Sequence, residues 1–188
     1  MKKVIFLLSI LLIISACVQS PENNDSYNRY YFYQDIDGFW FTSLRTIYGE
    51  NEVPFYFHPR EVDNLTYNSS INDYLGFVQR NNGRVLIGIN EDFPQNYDVV
   101  AAVEIGKITG RVLGIETKSG VISAVDDLPV HNCSVADPLN FVIEFRMGNF
   151  TGVKSDEFCA IITTTEPRNI IKGANLMAYK LLGIIPLD

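Results

Sequence analysis

The first seventeen residues, "MKKVIFLLSILLIISAC", constrain this chain more than any other stretch. Lys2 and Lys3 precede a largely apolar run from Val4 to Ile14, and the small residues Ser15 and Ala16 lead directly to Cys17. A positive start, a short apolar core and a small-residue boundary are what export machinery reads. The run is short for a membrane-spanning helix, which needs about 20 apolar residues. The expectation is a lipoprotein signal peptide over 1–16 and lipidation at Cys17, giving an extracytoplasmic protein held to the cell membrane by a lipid anchor. An uncleaved anchor or a plain signal peptide is the alternative.

Of the three cysteines, Cys133 and Cys159 remain as an even pair once Cys17 carries lipid. In an oxidising compartment a disulfide between them is the economical reading, with two buried thiols as the alternative. Two isolated cysteines and two distant histidines lack the close ligand pairs of a zinc site, so no metal is expected. Fifteen basic and 22 acidic side chains give a formal charge of −7, which becomes −9 when Lys2 and Lys3 leave with the leader. Such a surface repels nucleic acid, and no local basic cluster compensates. Glycosylation triplets begin at Asn64, Asn68, Asn132 and Asn149. The Asn132 triplet contains Cys133 and competes with the disulfide, leaving Asn64, Asn68 and Asn149 as the candidates.

Residues 17–30 read as a polar tether and 31–188 as one α/β domain. The stretch from Tyr30 to Tyr48, "YYFYQDIDGFWFTSLRTIY", is dense in aromatics and reads either as a packed aromatic core or as a platform for stacking sugars. Strands are expected at Val53–Phe57, Arg84–Asn90, Gly120–Val125, Leu139–Arg146 and in "FCAIITTT". In Leu139–Arg146, Phe141, Ile143 and Phe145 alternate with Val142, Glu144 and Arg146, so one face is expected to be the more exposed. Helices are expected in "SSINDYLGFVQRN", over Asp98–Thr109 with Asp98 as N-cap, and in "EPRNIIKGANLMAYKLLG". The middle helix is so apolar that it should be packed between the sheet and another layer. Alternating strands and helices predict an α/β, Rossmann-like layered domain around a largely parallel sheet.

"VLIGINEDFPQNYDVVAAVEIGKITG" resembles a segment of archaeal S-layer proteins and their small relatives, in which a strand, a polar loop and "D-V-V-A-A-x-x-I" follow one another. The remainder of Arg84–Ile185 is similar to uncharacterised archaeal cell-surface proteins. Those relatives carry an acid in the last helix, where this chain has Asn175 in "GANLMAY". The resemblance implies a noncatalytic cell-envelope module of Rossmann-like architecture, from an archaeon.

Little in the sequence suggests catalysis, and no cofactor is expected. The loop "NEDFPQNYD" after the Arg84 strand lacks the glycines that admit a pyrophosphate. Asn90, Glu91, Asp92, Asn96 and Asp98 offer oxygens for calcium, but not at the spacing of a twelve-residue calcium loop. In "DDLPVHNCS", Asp126, Asp127, His131, Cys133 and Ser134 form the one cluster with nucleophile and base close in sequence. His58 reads as a strand-end residue before a proline turn. These features favour a lipid-anchored structural or adhesive S-layer-like module, partnered by envelope proteins or by its own copies. An extracytoplasmic ligand- or sugar-binding lipoprotein is the second reading and a hydrolase the third.

Overall fold

A computed structural model describes residues 23–187. The leader and Cys17 lie outside the described residues. The first four strands, β1 (Asn23–Tyr27), β2 (Tyr30–Gln34), β3 (Trp40–Thr46) and β4 (Gly49–Phe55), form an antiparallel meander in that order. Their side chains alternate across the sheet, as the period of a strand requires. Phe32, Thr42, Leu44, Val53 and Phe55 point into the protein, while Tyr31, Ser43, Arg45 and Glu52 face solvent.

Much of the expected tether is therefore part of the domain. Residues 23–27 pair with β2 from Asn23↔Gln34 to Tyr27↔Tyr30, around a two-residue turn in which Asn28 and Arg29 have φ of 46° and 73°. Positive φ at both turn positions matches the right-handed twist of a hairpin. Ladder hydrogen bonds need no apolar side chains, so this strand left no hydrophobic pattern to read.

A second, six-stranded sheet runs in the order β5 (Thr66–Tyr67), β9 (Gly152–Asp156), β10 (Cys159–Thr164), β8 (Asn140–Met147), β6 (Arg84–Ile89), β7 (Glu116–Val121). Strands β9 and β10 are antiparallel and the other neighbours parallel. Three helices accompany it: α1 (Ser70–Arg80), α2 (Tyr97–Gly106) and α3 (Ile170–Leu181). Helix α2 runs on into a π-helical stretch, Lys107–Val112.

The expected single Rossmann-like domain layered on one largely parallel sheet is overturned, because an antiparallel four-stranded sheet accompanies a mixed six-stranded one. A doubly wound fold places helices on both faces of its sheet. Here the buried residues of all three helices join one cluster with Val85, Ile87, Phe141, Ile143, Ala160 and Ile162, which alternate onto a single face. The antiparallel meander packs on the same cluster: Tyr179 of α3 touches Phe55 at a ring-centroid distance of 4.5 Å and Phe32 at 6.0 Å. The other face carries Leu86, Val142 and Cys159, covered by a loop with Cys133 and Ala136 instead of a helix.

That covering loop crosses the sheet over two glycines. Gly88 and Gly120 are register partners on β6 and β7. A Cβ on Gly88 would lie 2.0 Å from the His131 carbonyl oxygen, and one on Gly120 would lie 2.3 Å from that of Pro129. The loop sits in the trough left by the missing side chains. Backbone bonds from Val121 N–H to Pro129 O (3.0 Å) and from His131 N–H to Val121 O (2.8 Å) hold it there. A bond between Cys133 and Cys159, with Cα atoms 5.5 Å apart, closes the crossing.

Candidate binding surface

The outer face of the antiparallel meander carries a row of rings. Register places Tyr33, Phe41 and Pro54 side by side on three neighbouring strands. The Tyr33 and Phe41 rings stack at 5.4 Å with 14° between planes, and Phe39 meets Tyr56 edge-on at 4.8 Å. Carboxylates border the row. Burial and the neighbouring Glu52 push the Tyr33 phenol up to about 12, with a smaller contribution from Asp35.

Pro54 also belongs to a cleft of about 330 Å³, which it lines with Phe39, Tyr56, Val99, Val103 and Lys107. Val99 and Val103 form a ridge on α2, and beyond it lies a second cleft of about 390 Å³ reaching Thr117 and Lys118 on β7. Val103 is 63 % exposed and Val99 39 %. The expectation that α2 is covered on both sides is thereby corrected. Its buried side rests on Ala101, Ala102 and Ile105, and its valine ridge is open.

The floor of the first cleft is polar, and its groups are paired. Lys107 Nζ lies 2.5 Å from Glu104 Oε1, donates to the Pro54 carbonyl and sits 4.9 Å from the Phe55 ring centroid. Burial lowers the Lys107 pKa, and Glu104 opposes the shift. Asn175 donates to Glu104 Oε2 at 2.6 Å and accepts from Phe57 N–H at 3.0 Å, while the Tyr179 hydroxyl donates to Phe57 O at 2.6 Å. These bonds spend the polar atoms on joining β4 to α2 and α3, which suits a rigid cleft floor.

The residues singled out from sequence fall elsewhere. Asp98 is not an N-cap: Asn96, at φ 54°, precedes α2, and Asp98 is buried inside the first turn. Its carboxylate accepts from Asn90 N–H (2.8 Å) and Val99 N–H (2.9 Å), and burial raises its pKa. The Asn90 side chain accepts from Asp92 N–H. These oxygens serve the loop backbone. Ser134 donates to Asn132 Oδ1 at 2.6 Å, His131 is buried with Nδ1 unpartnered, and Asp126 and Asp127 are exposed. The cluster that looked nucleophilic is thus dispersed. His58 caps the turn Pro59–Glu61 by accepting from Arg60 N–H, and is enclosed by the rings of Trp40 (4.6 Å), Phe32 (5.0 Å) and Tyr27 (6.3 Å). Asn64, Asn68 and Asn149 are exposed.

Sequence reasoning passed over Glu104 and Lys107 and gave Glu144 no buried role. The β8 face that carries Glu144 is covered over most of its length: Val142 and Glu144 are both buried. A single acid in the apolar run "FVIEF" was the available signal.

Comparison with protein-family models, with curated proteins and with solved structures gives no match for this chain. Among the described residues no helix is long and apolar enough to cross a membrane.

Proposed function

We propose that this chain is an adhesive module of the cell envelope that binds neutral glycans on the aromatic face of its antiparallel sheet. The observation that carries this reading is the row Tyr33, Phe41, Pro54, continued by Phe39 and Tyr56 into the cleft beside Val99 and Val103. A sugar ring presents an apolar face edged by hydroxyls. Aromatic rings meet the first, and bordering carboxylates such as Glu52 accept from the second. The formal charge of −7 disfavours anionic ligands. In this reading the leader and Cys17 supply the lipid anchor that holds the module at the cell surface.

Calorimetric titration with a panel of neutral oligosaccharides tests the proposal. Binding is expected for at least one, and Phe41→Ala and Tyr56→Ala should each weaken it about tenfold or more, as truncation of an aromatic anchor does. Thermal stability should change little in Tyr56→Ala, since that ring is exposed. No binding by the panel, or binding that survives both substitutions, would overturn the assignment.

A further inference from the structure

The Cys133–Cys159 bond stands at the wall of an open cavity. Cys159, at the start of β10, is 1 % exposed. Cys133 opens a short 3₁₀ turn, Cys133–Val135, and lines a cavity of about 370 Å³ with Ile122, Asn132, Ser134, Glu144 and Arg146. Cys133 is thus half-buried at the cavity wall, while Cys159 is shielded.

An ion pair with a buried carboxylate and a half-exposed guanidinium sits against these sulfurs. On β8, Arg146 Nε and Nη2 reach Glu144 Oε2 at 2.8 and 2.5 Å. Nη2 also lies 3.9 Å from Cys133 Sγ, and Glu144 Oε1 accepts from the Cys133 N–H. A Glu144 oxygen and both sulfurs fall within 4.8 Å of one another. A guanidinium beside a sulfur has a chemical consequence: it stabilises the thiolate, and a sulfur of low pKa is the better leaving group.

We propose that Cys133 and Cys159 are a redox-active pair that oxidises a peptide or protein dithiol reaching the cavity, with Cys133 as the sulfur attacked and Arg146 holding its thiolate. A thiolate of the incoming dithiol attacks Cys133 Sγ. A new sulfur–sulfur bond forms as the bond to Cys159 breaks, and Cys159 leaves with the electron pair and takes up a proton. The second thiolate of the substrate then attacks the substrate sulfur bound to Cys133, closing the substrate disulfide and expelling Cys133 as a thiolate against Arg146. In sum the substrate is oxidised by two electrons and the protein disulfide is reduced. Of the two substrate protons, one ends on Cys159 and one in solvent. Glu144 is a positioning residue, orienting the guanidinium toward the sulfur. The loop has ties besides the bond, since Asn132 Nδ2 donates to Ile122 O at 2.8 Å and the crossing over Gly88 and Gly120 remains when it is reduced. This activity occupies the opposite face of the six-stranded sheet from the helices and is independent of the glycan reading.

The test uses the oxidised full chain, with dithiothreitol as probe dithiol and glutathione as mapping thiol. Reduction is expected under native conditions, with acid-quenched glutathione adducts found on Cys133. The first attack, from which Cys159 leaves, should change little in Arg146→Gln, but this variant should slow the second step, in which Cys133 is the leaving sulfur, so that the mixed disulfide on Cys133 persists several-fold longer at neutral pH. The same variant should also raise the pH midpoint for iodoacetamide alkylation of Cys133 in the reduced protein, and Arg146→Lys should restore part of both. Because Arg146→Gln leaves Glu144 unpaired, the double variant Glu144→Gln, Arg146→Gln is measured beside it, with thermal melts for all. Reduction that requires denaturant, adducts on Cys159, or a folded variant lacking Arg146 that keeps the native lifetime of the mixed disulfide and the native pH midpoint would each overturn the proposal.

Discussion

The side-chain amide of Asn175 donates to Glu104 Oε2 at 2.6 Å, joining α3 to α2 across 71 residues of sequence. Its oxygen accepts from Phe57 N–H, so both ends of the amide are used. An acid at this position would face Glu104. Asn175→Asp is expected to lower stability by about 3 kcal/mol or more at pH 7, the scale of an uncompensated buried charge. Two adjoining carboxylates share a proton more readily in acid. Chemical denaturation of the variant should therefore show stability rising as pH falls from 7 to 5, opposite to the parent protein.

The open ridge of α2 makes a sharp contrast between neighbours. Val103→Asp should fold with a change within about 0.5 kcal/mol, as for surface substitutions generally. Ile105, two residues on and fully buried, should cost about 2–5 kcal/mol as Ile105→Ala. Denaturant midpoints of the two variants check this directly. Equal losses would mean that the ridge is covered.

Acid should act through the two histidines. Burial lowers the pKa of both His58 and His131, and around His58 the carboxylates of Asp25, Glu61 and Asp63 oppose the shift while Arg60 adds to it. Each is thus more easily protonated in the unfolded chain. Their contribution is fully present above the unfolded value near 6.5 and is lost as pH falls below it. Replacing His58 by Phe should flatten the fall in stability between pH 7 and 5, even if it lowers the plateau by removing the cap on Arg60 N–H. A slope identical to the parent's would exclude His58 as a source.

The strands and helices of the buried layer were legible because their apolar residues recur at the right period. Helix α1, the strands around Ile87 and Ile143, and α3 fall close to their expected bounds. What escaped was structure made by backbone pairing alone. Strands β1 "NNDSY", β7 "ETKSGV" and β9 "GVKSD" are polar, lie at or near sheet edges, and carry no alternation. Without them the chain looked like a Rossmann-like array, and β7 was placed several residues late, at Gly120–Val125. The disulfide was legible by counting cysteines, and the bond at Cys133 and Cys159 agrees with that reading. Its ionic neighbours were not, since Glu144 becomes buried only because a loop 11 residues earlier folds back over it.

Removal of the bond should cost stability but leave the fold. Sequence separation is 26 residues, for which the chain-entropy model gives about 3.5 kcal/mol. The double variant Cys133→Ala, Cys159→Ala should therefore unfold at lower denaturant with an unchanged near-ultraviolet spectrum in water. A loss below about 1 kcal/mol would show that the crossing alone fixes the loop.

Gly88→Ala should be among the most damaging small changes in the protein. Its methyl group would stand 2.0 Å from the His131 carbonyl oxygen and 2.8 Å from Ile122 Cγ2. Overpacking of this kind typically costs about 1–3 kcal/mol, and here backbone has to move to relieve it. Thermal denaturation beside Gly49→Ala, where the added Cβ would meet nothing but the φ of 101° is strained, separates crowding from backbone conformation.

The glycine trough also divides the covering loop into two parts of very different use to an engineer. Residues 129–133 are wedged against the sheet by two carbonyls and a disulfide, so a peptide spliced in there would lift the loop off its seat. Residues 123–128 are clear of the trough, exposed except at Val125, and turn at Asp126 with φ 47°. An epitope, fluorophore tag or purification handle inserted after Asp126 would extend outward from a fixed base.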